Sequence, residues 1–112
     1  MNNIMVIDGY RAVVKYDPDI DMFRGEFAGL NGGADFYAPD VEGLRREGIV
    51  SLRVFMEACR EAGISPVRTF SGKFQARVSA ELHLRSTEAA AARGISLNQF
   101  VQHAMERELQ AV

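Results

Sequence analysis

From Lys73 to Val78 the chain reads KFQARV, with a long polar side chain at every second position. In an extended strand successive side chains point to opposite faces, so Lys73, Gln75 and Arg77 share one face and Phe74, Ala76 and Val78 the other. The polar set can read base edges: Gln pairs bidentately with adenine, and Arg or Lys with the two acceptors of guanine in the major groove. Farther on, Ser96 precedes LNQF, where a serine hydroxyl caps a helix start. The exposed amides around Ser96, Leu97 and Asn98 are suited to hold a backbone phosphate. Base reading and phosphate holding together describe recognition of double-stranded DNA. From the alternation alone, an ordinary amphipathic strand with solvated polar residues explains KFQARV equally well.

Other chemistry is weaker. Asp17, Asp19 and Asp21 occupy the first, third and fifth positions of a calcium loop, but Met22 stands where glycine is required and Ala28 where a bidentate Glu belongs. The acidic run therefore reads as a solvated hairpin tip. His83 and His103 lie in separate helical segments without metal-ligand spacing, and no GxSxG, P-loop or HExxH pattern occurs. Cys59 is the only cysteine and has no CxxC or His partner nearby, so it reads as a core residue. No cofactor, metal site or enzymatic activity is expected.

A chain of 112 residues holds one small domain, or a small domain with an appendage that completes its core by dimerising. At 47% hydrophobic and 25% charged residues the composition is that of a folded, soluble protein. No apolar run is long enough to span a bilayer, and MNNIMVIDGY carries no basic segment ahead of an apolar one, so a cytoplasmic protein without membrane contact is expected. A net charge of −2 counts against DNA binding, but it is unevenly distributed. Residues 1–66 hold seven Lys/Arg against eleven Asp/Glu, whereas residues 67–112 hold six against four. The positive half is the one containing KFQARV.

These residues need elements to position them. YRAVVKY (10–16) and MFRGEFA (22–28) read as strands joined by the acidic turn DPDID, and NGG leads to a third strand, ADFYA (34–38). Asp40 is a helix N-cap. Val41, Leu44, Leu52, Phe55, Met56 and Cys59 follow helical spacing up to Gly63, with Gly43 and Gly48 weakening the first half and permitting a break there. Pro66 marks the exit from this βββα unit, so the expected domains are 1–66 and 67–112. In the second, KFQARV precedes a helix capped by Ser79 and ended by Gly94, and Ser96 opens another helix with Phe100 and Val101 on its apolar stripe. Such a β-α-α unit cannot bury its strand edges alone. Two copies solve this by pairing strands antiparallel about a two-fold axis, with Phe74, Ala76, Val78, Phe100 and Val101 forming the dimer core.

The segment KFQARVSAELHLRSTEAAAARGISLNQFVQHAM resembles a ribbon-helix-helix domain of the Arc/MetJ class. That resemblance implies base contacts from Lys73, Gln75 and Arg77, and a phosphate contact from Ser96, Leu97 and Asn98. Together with Tyr10, Phe23-Arg24-Gly25, Leu44 and CREAGISPVRTFSGKF, the chain resembles HicB family antitoxins along essentially its whole length. This implies an α+β protein: a small, partial RNase H-like meander with a helix, which binds a HicA-like mRNA-cleaving toxin, followed by a dimerising ribbon-helix-helix domain that binds operator DNA. The turn LNGGADFY and the region GLRREGIVSL depart from familiar members. The alternative is a repressor of the same kind with no toxin partner. Catalysis by the first domain is disfavoured because its carboxylates sit mainly at a turn.

Overall fold

A computed structural model of the chain describes residues 3–111 and separates into two compact units, the first ending at Ser71 and the second beginning at Gly72. The first contains strands β1 (Ile4–Ile7), β2 (Tyr10–Asp17), β3 (Met22–Phe27) and β4 (Asp35–Ala38), followed by helix α1 (Val41–Ala62). The second contains α2 (Ala80–Ala92) and α3 (Leu97–Gln110). The protein is thus α+β, as its sequence implies, but the first unit has four strands where three are expected.

The additional strand, IMVI, pairs with the start of β2 through a two-residue turn, Asp8-Gly9, whose φ angles are 52° and 84°. Two consecutive positive φ values mark the hairpin turn that Asp-Gly favours, because its twist matches that of the flanking strands. All pairings are antiparallel and sequential, in the order β1-β2-β3-β4. Register places Met5 opposite Ala12, Ala12 opposite Phe27, and Gly25 opposite Phe36. Burial alternates accordingly: Met5, Ile7, Ala12, Phe27, Phe36 and Ala38 are buried, as are Leu44, Leu52 and Cys59 of α1.

Helix α1 starts where expected, with the Asp40 carboxylate accepting from the Gly43 amide at 2.6 Å, and stops at Gly63, whose φ of 68° is left-handed. No break occurs at Gly43 or Gly48. Both glycines are buried, and their lack of a side chain is what lets the helix approach the sheet. A Cβ on Gly48 would overlap Ile7 and Phe36, and a Cβ on Gly25 would overlap the same Phe36 ring. The ring therefore lies between a glycine on the sheet and a glycine on the helix, and also packs on Phe27 at a centroid distance of 5.2 Å. A mid-helix glycine costs about 1 kcal/mol relative to alanine. A buried aromatic ring contributes more than that, which is why the helix runs through.

The connector is tied back to this unit. Asn31 N–H donates to the Pro66 carbonyl at 2.8 Å, Arg68 N–H donates to the Gly29 carbonyl at 3.0 Å, and Leu30 bridges to Val67. The division of the chain consequently falls after Ser71, beyond the Pro66 exit read from the sequence. Among the described residues no helix is long and apolar enough to cross a membrane.

Overfilling the glycine contact should destabilise the first unit selectively. Gly48→Leu is expected to cost about 1–3 kcal/mol through overpacking. All three tyrosines, Tyr10, Tyr16 and Tyr37, lie in this unit and the chain has no tryptophan, so tyrosine fluorescence in a urea titration reports it directly. The midpoint should fall with the slope unchanged.

Candidate nucleic-acid interface

Both helices of the second unit are closed by local chemistry that the sequence spells out. The Ser79 hydroxyl accepts from the Leu82 amide at 3.1 Å. At α3 the Ser96 hydroxyl accepts from the Gln99 amide at 3.0 Å while the Gln99 side-chain oxygen accepts from the Ser96 amide at 3.0 Å, a reciprocal capping box. Gly94, with φ of 71°, turns the chain between the helices. Ser96, Leu97 and Asn98 thus sit together at an ordered helix start, where the positive end of the helix dipole is directed outward. Glu81 lies in the first turn of α2, but no acidic residue occupies the first turn of α3.

One contact at this end escapes the sequence reading. The Arg93 guanidinium lies 5.3 Å from the centre of the Phe100 ring, which places a cation beside the start of α3. The available signal was an arginine directly before the turn glycine, seven positions ahead of an aromatic residue, but that spacing is not diagnostic across a helix break.

The expected strand is not present in the single chain. Residues 72–79 carry neither helix nor strand, and Lys73, Gln75 and Arg77 are all exposed. So are Phe74 at 67%, Val78 at 54% and Ala76. The physical reason is that a strand needs a hydrogen-bonded neighbour, and nothing else in this unit supplies one. Phe74, Ala76 and Val78 are therefore not gathered into a core with Phe100 and Val101 within one copy. Phe100 is half-buried, and Val101 is exposed.

The rest of the unit has the same imbalance. Ala90 is its single buried side chain among the described residues, whereas Leu82, Leu84, Met105 and Leu109 are exposed along with Phe74, Val78 and Val101. Isolated exposed apolar residues are ordinary, but this many in so short a unit with one buried alanine leave it without a core of its own.

Among comparisons with known proteins, the model of the HicB family matches residues 55–105, which run from the last turns of α1 through the connector and α2 to the middle of α3. No curated protein and no solved structure matches the chain.

The capping box makes a separate prediction. Ser96→Ala removes the hydroxyl acceptor from the Gln99 amide and should lower stability by about 1 kcal/mol. Ser79→Ala acts by the same means at α2. Thermal melting followed by far-ultraviolet circular dichroism should show a lowered midpoint for each.

Proposed function

We propose that the chain is the antitoxin of a HicB-type toxin–antitoxin pair, which neutralises a HicA-like mRNA-cleaving toxin and represses its own operon as a homodimer on operator DNA. The observation that carries this reading is the state of the second unit: a segment in neither helix nor strand, apolar at one set of alternate positions and basic or amide-bearing at the other, attached to helices that expose apolar residues. A second copy resolves that state. The KFQARV segments pair antiparallel, Phe74, Ala76 and Val78 turn under the ribbon onto Phe100 and Val101, and four helices close beneath. Lys73, Gln75 and Arg77 of both copies then face outward on a two-stranded ribbon whose width suits the major groove.

Holding and reading are divided between different parts. The α3 start at Ser96, Leu97 and Asn98, free of first-turn carboxylates and flanked by Arg93, takes a backbone phosphate and fixes register. The ribbon side chains read the bases. In the first unit, the meander and its helix are the remnant of an RNase H-like fold that serves binding rather than catalysis. Its acidic surface covers the basic, RNA-binding surface of the toxin, and charge complementarity speeds and directs that encounter.

One observation favours a second reading. The family match begins at residue 55 and so leaves the sheet outside it. A ribbon-helix-helix repressor without a toxin partner fits that extent equally well. Co-purification of the full chain with the product of an adjacent gene separates the two: a small basic protein retained on the chain supports the antitoxin, and its absence supports the solitary repressor.

Two sets of variants test the DNA-binding half. Phe74→Asp or Val78→Asp forces a carboxylate into the underside of the ribbon, where an unpaired charge is costly, so sedimentation should show loss of the dimer and titrations loss of operator binding. A folded dimer with either substitution would show that these side chains face solvent. Gln75→Ala and Arg77→Ala should leave the dimer intact and lower the preference for operator over unrelated DNA, by about 1–3 kcal/mol per bidentate contact. Leu97→Pro, tolerable at the first helical position, removes a phosphate-facing amide and should weaken both DNAs alike. Competition titrations at one fixed salt concentration distinguish these patterns. Unchanged binding in all the strand variants overturns the ribbon-in-groove mechanism.

A further inference from the structure

Charge in the first unit is segregated in a way that the net value hides. Helix α1 carries four arginines and four glutamates, so the acidic excess of residues 1–66 lies in the strands and turns. Three of those carboxylates, Asp17, Asp19 and Asp21, crowd the β2–β3 tip around Ile20, which is 50% exposed. The tip is a preformed knob: the Asp17 carboxylate accepts from the Asp19 amide at 3.0 Å, and the Tyr16 hydroxyl donates to the Asp21 carboxylate. Tyr16 in turn packs edge-on against Phe23, with ring centres 5.6 Å apart. These contacts use Asp17 and Asp21 and leave the Asp19 side chain and Ile20 projecting.

The opposite end of the sheet carries a groove of complementary character. It has a volume of about 580 Å³ and runs beside β1 along α1, with Ile49, Leu52 and Met56 in its wall and three arginines, Arg45, Arg53 and Arg60, against two carboxylates, Asp8 and Glu57. Arg45 donates to the Val6 carbonyl at 3.0 Å, and Arg60 stands 3.9 Å from Glu57. Arg53 has no hydrogen-bond or ion-pair partner among the described residues. An apolar wall with a row of cations suits an apolar side chain flanked by carboxylates. The acidic tip of this same chain offers that arrangement.

The tip cannot reach the groove of its own molecule. The groove is lined by Ile7, Asp8 and Tyr10, at the start of β2, and the tip follows Asp17 at its end. An eight-residue strand at roughly 3.3 Å per residue separates them by about 26 Å. We propose that the acidic β2–β3 tip of one copy docks in the arginine-lined groove of a second copy, Ile20 against Ile49 and Met56 and Asp19 against Arg53, reciprocally about a two-fold axis. Each molecule provides one knob and one groove, so both contacts are satisfied within the pair. The rigidity of the knob lowers the ordering cost of docking. This surface is separate from the second unit, so it stands or falls independently of the operator binding proposed above.

The test is the mass of the full chain carrying Phe74→Asp, so that ribbon pairing does not contribute to it, by sedimentation equilibrium or light scattering, at about 0.1 M and about 1 M salt, between which the Debye length falls from about 10 Å to about 3 Å. The expected result is a twofold greater mass at low salt than at high salt. Asp19→Arg and Arg53→Glu should each hold the chain at the smaller mass in both conditions. Carrying both substitutions in one chain should restore the doubling, because the Asp19–Arg53 pair is re-formed with its signs exchanged. An equal mass at both salts in that background overturns the proposal, as does doubling that survives either docking substitution or fails to return in their combination.

Discussion

The Phe36 ring, held between Gly25 on β3 and Gly48 on α1, sets the geometry of the first unit. It can fill the space between helix and sheet only because neither neighbour has a Cβ. The close approach brings Leu44 and Leu52 down onto the strands and leaves Arg45, Ile49, Arg53 and Met56 along the side of the helix next to β1. Side chains at both glycine positions would lift the helix and remove that groove. Two residues that local propensity disfavours are thus required by packing, and the packing term is the larger.

The second unit obeys the opposite constraint. It has well-specified helix ends and almost no interior, so local chemistry fixes its secondary structure while Ala90 is the single buried side chain among its described residues. Ser79, Gly94 and Ser96 act within a few residues of themselves and need no partner. Phe74 and Val78 do need one. On the proposed pairing, folding of the second unit is coupled to the chain's own concentration, because completing the apolar core and assembling the dimer are the same event.

What the sequence made legible follows this division between local and non-local forces. Caps at Asp40, Ser79 and Ser96, the stop at Gly63, the β2–β3 tip and the core position of Cys59 could be read because each is determined by neighbouring residues or by period. β1 escaped because IMVI is short and uniformly apolar, without the alternation that identifies a half-buried strand, although Asp8-Gly9 carried the hairpin signal. The unbroken α1 escaped because its glycines are explained only by Phe36, a residue on another element. At KFQARV the alternation is plain in the sequence, yet the single chain forms no strand there, because period determines which side chains share a face and not whether a ladder partner is present.

The connector has a consequence for how long the chain survives. Residues 66–68 belong to no helix or strand of the sheet, but their backbone is bonded to Gly29 and Asn31 and bridged at Val67, so backbone groups that a protease must pair with beside Arg68 are already engaged. Residues 72–79 have no helix or strand and expose Lys73 and Arg77. Proteolysis of an unassembled chain therefore begins in the segment that assembly would convert into a ribbon. On the proposed pairing a second copy would withdraw that site, which puts lifetime and oligomeric state under the same few residues and makes the free chain the form that is cleared first.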